Sequence, residues 1–125
     1  MNKAKLWRWV GVIAILLCGL IHLYDAPEEY QEAQYMGILF FAFFLGAFIS
    51  AIGIYRGQRL WGWVLGGLIS IGAIIGYLIS RTVGMPLMEV EEWGPPLAYF
   101  SIFLELIVFA LFLKSISPSP VRAHS

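Results

Sequence analysis

MGILFFAFFLGAFISAIGIYRGQRLWGWVLGGLISIGAIIGYLI, residues 36–79, decides the fold. Residues 36–55 and 60–79 are apolar runs, and only Arg56-Gly57-Gln58-Arg59 separates them. A helix of about 20 residues, rising about 1.5 Å per residue, crosses the roughly 30 Å hydrocarbon core of a bilayer. So short a polar connection leaves only an antiparallel turn. The stretch therefore reads as a helical hairpin that enters and leaves a membrane on one side. Its amphipathic periodicity is weak, as expected of helices that face lipid.

Two further apolar runs flank the hairpin, at residues 6–24 and 97–113. The charges fall almost entirely between the four runs and sort by sign. Lys3, Lys5 and Arg8 precede the first, Arg56 and Arg59 sit between the second and third, and Lys114 and Arg122 follow the fourth. Asp25, Glu28, Glu29 and Glu32 fill the first gap, and Glu89, Glu91 and Glu92 fill the third. Lys and Arg are kept on the cytoplasmic side of membrane proteins. The pattern predicts an all-α, four-transmembrane-helix bundle with both termini cytoplasmic and both acidic loops outside. Residues 1–114 form the membrane domain, and residues 115–125 a polar, Ser/Pro-rich cytoplasmic tail without order of its own.

At 125 residues, 60% hydrophobic and 13% charged, the chain has no room for a separate soluble domain. Zero formal net charge argues against nucleic acid as a partner. The lipid bilayer is the expected partner, with a homo-oligomer or a larger membrane-protein complex around it. The first run lacks the small-x-small exit of a cleaved signal and carries Trp7 and Trp9 beside Lys5 and Arg8, as a retained, interface-anchored helix does. Asp25-Ala26-Pro27-Glu28 has the order of a helix N-terminus: a capping acid, a proline in the first turn, a carboxylate after it. The second helix is therefore expected to begin there, with Glu28, Glu29 and Glu32 at its positive end. Small residues recur at Ala42, Gly46 and Ser50, at Gly62 and Gly66, and at Gly72 and Gly76. That spacing lets helix backbones approach closely in lipid, so all are expected to pack.

Two charges break the pattern. Glu105 lies inside the fourth run, roughly 12 Å from its start at helical rise. An acid at that depth costs a few kcal/mol, so it must face the bundle interior and be neutral or partnered, with Ser70, Tyr77 or Ser101 as candidate partners. Ionisable residues within membrane spans mark proton carriers, cation sites and metal ligands. Arg81 ends the third run among the acids. There it can satisfy terminal carbonyls, or clamp a carboxylate of Glu28, Glu89, Glu91 or Glu92. His22 lies near the outer end of the first run, with Asp25 and Glu28 following; imidazole and carboxylates together suit a transition metal, while the plainer reading is a hydrogen bond to Asp25 or Tyr24. A single membrane histidine excludes the usual bundle di-iron site and bis-histidine haem within one chain. Lone Cys18 is a packing residue and forms no internal disulfide. No phosphate loop, nucleophile elbow or metalloprotease helix is present.

Ile21-His22-Leu23-x-x-Ala26-Pro27-Glu28, Tyr35-Met36-Gly37, Ser80-Arg81-Thr82-Val83-Gly84-Met85-Pro86 and Glu105 together resemble a group of small four-span bacterial membrane proteins. Those carry a His-x-x-x-Ala-Pro-Glu stretch and a Ser-Arg-Thr-x-Gly-Leu-Pro loop. The resemblance covers most of the chain and implies a multi-pass protein of the bacterial inner membrane. It implies no activity. Glu29 stands where the group has a second histidine, and Met85 where it has leucine, the first of which weakens a metal site. A looser similarity to DoxX-like proteins rests on size and span count. Three functions fit these residues: a non-enzymatic subunit or scaffold of a larger membrane complex, expected first; a proton-coupled small-solute transporter with Glu105 as proton carrier, acting as a homo-oligomer; and a metal- or quinone-linked redox protein.

Overall fold

The structure, a computed structural model, describes residues 2–86 and 96–116. Among them the chain forms four helices and no strand: α1 Lys3–Glu32, α2 Gln34–Tyr55, α3 Leu65–Thr82 with a π-helical opening Arg59–Val64, and α4 Pro96–Ile116. All four are long and apolar enough to cross a membrane. Their large side chains point outward as often as inward: Ile38 is 57% exposed, Leu68 57% and Phe103 58%. In water such a surface would drive aggregation; in a bilayer it is the lipid-facing coat. The chain is a multi-pass membrane protein.

α1 starts where Asn2 accepts the Lys5 N–H at 2.8 Å. It does not stop near Tyr24. The expected helix start at Asp25-Ala26-Pro27-Glu28 is corrected: α1 runs through Pro27 to Glu32, and Ala33 alone, in extended backbone, joins it to α2. Pro27 forfeits one intrahelical bond. The buried stripe of α1 explains why the helix continues, since Gly11, Ile15, Cys18, His22 and Ala26 follow one another at helical spacing and Ala26 still packs. Glu28, Glu29 and Glu32 therefore occupy the last turns of α1, next to its negative end, rather than the first turns of α2. Gly37 lets α2 leave so abruptly, because a Cβ there would lie 2.3 Å from the Tyr30 Cβ.

α2 ends in a Schellman motif. Gly57 has φ 76°, its N–H donates to Ile54 O, and the Gln58 N–H donates to Gly53 O at 2.8 Å. Glycine is needed there because other side chains rarely adopt that backbone. The third helix opens at Arg59, one residue before the apolar run, as a π-helical turn, and brings Gly62 against Gly53. Ser50 Oγ donates to Gly62 O at 2.8 Å across this seam. α4 extends to Ile116, so Ser115 and Ile116 belong to the helix and not to the expected tail; the rest of the tail, His124 included, lies outside the described residues.

α1 packs mainly on α2 and α4, and α3 on the same two, while Trp63 of the π-helical opening also reaches Gly11 of α1. The dry core of Val12, Ile15, Cys18, Ala47, Ala51, Ile54, Leu104 and Val108 fills the half of the bundle nearer the basic end. Trp9 meets Tyr55 edge-on at 5.7 Å, and the Lys114 ammonium sits 4.2 Å above the Trp7 ring, so aromatic and basic side chains collar that end. The opposite, acidic half is not filled in the same way.

Candidate functional site

Above the dry core the four helices line a cavity of about 580 Å³. All five residues singled out in the sequence line it: His22, Asp25 and Glu28 from α1, Arg81 from α3 and Glu105 from α4. Glu29 and Glu32 add to the acidic mouth, while Phe40, Phe43, Ile69, Ala73 and Ile102 supply apolar wall.

At the floor, Glu105 is 2% exposed and His22 8%. The His22 ring lies flat against Phe43, 3.7 Å between centroids and 15° between planes. Its Nδ1 is 2.8 Å from the carbonyl oxygen of Cys18, one turn back on α1. A carbonyl only accepts, so Nδ1 carries the proton and donates. His22 is thus bonded to its own helix and not to Asp25 or Tyr24. The bond turns Nε2 across the bundle, to 3.8 Å from Glu105 Oε1. Of the three partners expected for Glu105, Ser101 is the one it has: Ser101 Oγ donates to Oε1 at 3.0 Å. Ser70 Oγ is buried elsewhere in the packing without a partner among the described residues.

The His22–Glu105 contact was not legible as such in the sequence. Residues 6–24 place His22 just inside the membrane boundary, whereas Glu105 lies deep in its span. Because α1 continues to Glu32, ten residues beyond His22, the histidine sits about 15 Å below the helix end. Glu105 is nine residues from the start of α4, about 14 Å down. The two depths match once the true end of α1 is known.

At the mouth, the Arg81 guanidinium lies 4.0 Å over the Tyr77 ring and donates from Nη1 to Ser80 Oγ at 2.7 Å. Glu89, Glu91 and Glu92, candidate partners of Arg81, lie outside the described residues. Tyr35 Oη donates to Pro86 O, tying the start of α2 to the segment that follows α3. The small residues divide into two kinds. A Cβ at Gly53 or Gly62 would meet the facing backbone within 2.7 Å, and one at Gly67 would meet the Phe112 ring at 2.4 Å. A Cβ at Gly72 or Gly76 would meet nothing within 4 Å. The expectation that Gly72 and Gly76 pack against a helix is thereby corrected: both line the cavity.

Among the described residues no three of His, Cys, Asp and Glu are grouped to hold a metal ion. His22 and Glu105 supply two ligating atoms and no third. What they form instead is a buried imidazole nitrogen and a buried carboxylate facing one another at the bottom of an acidic, half-enclosed cavity. No family model, no curated protein and no solved structure matches this chain.

Proposed function

We propose that this chain is a proton-coupled transporter of small solutes in the bacterial inner membrane, with both termini cytoplasmic and the acidic mouth facing out. The observation that carries the reading is the cavity: about 580 Å³, half-enclosed, and lined by the acids of α1 together with Glu105 and His22. Its volume falls within the few hundred to about 1,000 Å³ usual for small-molecule sites. A carboxylate buried in a membrane bundle costs free energy that packing alone has no reason to sustain. One carboxyl that holds either a proton or a solute, never both, couples the movement of the two. The sealed basic half, with Gly53 against Gly62 and Ser50 bonded across them, is the barrier that such a protein needs on its other side.

The scaffold reading, placed first on sequence alone, asks only for close helix packing, and Gly72 and Gly76 facing open space are at odds with it. The cavity lies within one chain, so the transport reading does not depend on a second copy.

The test is collapse of an imposed pH gradient in proteoliposomes on addition of small charged solutes. Wild-type protein is expected to respond to at least one solute. Glu105→Gln, which keeps shape but cannot ionise, is expected to insert and elute as wild type and to lose the response. A response of equal size in Glu105→Gln, or none in wild type, would overturn the reading.

A further inference from the structure

We infer that the cavity binds an organic cation bearing N–H groups, a primary or secondary ammonium, with its nitrogen held between His22 Nε2 and Glu105 Oε1. The inference rests on the transport reading for its purpose but on separate geometry for its chemistry.

Nδ1 of His22 is committed as a donor to Cys18 O at 2.8 Å, which leaves Nε2 of the neutral ring with a bare lone pair. Glu105 Oε1 is an acceptor that already receives the Ser101 hydroxyl. Nε2 and Oε1 stand 3.8 Å apart, beyond the roughly 2.7–3.2 Å of a hydrogen bond, so no proton bridges them directly. The floor therefore presents two acceptors separated by a gap, and the Ser101 hydroxyl beside them is already engaged.

The spacing selects the occupant. A nitrogen placed about 2.9 Å from both acceptors sees them about 80° apart, while two N–H bonds on a tetrahedral nitrogen diverge by about 109°. Each hydrogen bond then bends by only about 15°, within the range of a good one. A trimethylated nitrogen has no hydrogen to donate and cannot come so close. The positive charge sits against a carboxylate, which strengthens the bond. Phe40, Ile69, Ala73 and Ile102 form apolar wall that suits a hydrocarbon body. At the mouth, Asp25, Glu28, Glu29 and Glu32 outnumber Arg81, so the approach favours a cation.

The test uses the full chain in mild detergent, where no gradient or transport step enters. Benzylammonium and benzyltrimethylammonium carry the same ring and charge and differ in their N–H groups. Calorimetric titration is expected to show benzylammonium binding at least about tenfold more tightly, the worth of one hydrogen bond to a charged group. Glu105→Gln and His22→Gln, checked for wild-type elution, should each abolish most of that preference. Equal binding of the two probes, no binding of either, or an unchanged preference in both variants would overturn the inference. The wild-type comparison decides even if a variant does not fold. Selective amine binding without any proton flux would leave the ligand class standing and end the transport reading. Proton flux with another solute, without amine preference, would do the reverse.

Discussion

Gly53→Ala and Gly72→Ala are the same chemical change on two helices of one bundle, and the structure gives them opposite signs. Alanine in a helix interior is favoured over glycine by about 1 kcal/mol. At Gly72 the new methyl meets nothing within 4 Å, so the gain should appear almost whole. At Gly53 it would lie 2.7 Å from both N and Cα of Gly62 and 2.8 Å from the carbonyl carbon of Trp61. Carbon atoms pack at about 3.5–4.0 Å, and backbone cannot swing aside as a side chain does, so the seam must open by about 1 Å. Overpacking of this kind costs about 1–3 kcal/mol. Opening the seam also strains the Ser50 Oγ to Gly62 O bond of 2.8 Å, worth about 1 kcal/mol. The two variants should thus differ by about 2–4 kcal/mol, Gly53→Ala being the less stable. Unfolding in mixed detergent–SDS micelles, followed by tryptophan fluorescence, measures the difference. Two variants of equal stability would mean that the basic half is not sealed at this seam and that Gly72 does not face open space.

Reporters fused at Ser125 and epitope tags placed among residues 89–92 should be found on opposite sides of the membrane, the former cytoplasmic; finding both on one side would overturn the four-span architecture, and a Ser125 reporter outside would overturn the proposed orientation. Arg81→Ala removes the guanidinium from the Tyr77 ring and from Ser80, and should speed proteolysis across residues 82–96 while the spans stay inserted. Arg81→Lys should restore only part of the protection, because an ammonium has no planar fork to stack on the ring and bond at once; full restoration would reduce the role to charge alone.

Four spans and a short central hairpin were legible in the sequence because hydropathy and charge act at long range and tolerate error of a few residues. The limits of α1 were not. Asp25-Ala26-Pro27-Glu28 carries the local marks of a helix start, and local marks are outweighed here by the packing of His22 and Ala26, which only the folded bundle reveals. That one displaced boundary hid the site, since it put His22 just inside the membrane boundary and Glu105 alone at depth. Ser101 could be read, sitting one helical turn before Glu105. The stacking of Phe43 on His22 could not, among so many phenylalanines in α2. Gly62 and Gly72 look alike in sequence, and only the phase set by the π-helical turn decides which of them meets a backbone and which a void.

The connections between the helices differ greatly in reach. One residue, Ala33, links α1 to α2, and Arg56-Gly57-Gln58 links α2 to the π-helical turn, whereas α4 is attached to the others through residues 83–95. Three helices are joined in sequence by one and three residues, and the fourth by thirteen. His22 belongs to the first three and Glu105 to the fourth, so the 3.8 Å between them is held by helix packing and not by a short connection. With Glu105 protonated, a shift of α4 by about 1 Å would close that gap into a hydrogen bond. The spacing of the two polar atoms is thus set by how α4 seats against α1, across the longest connection in the bundle.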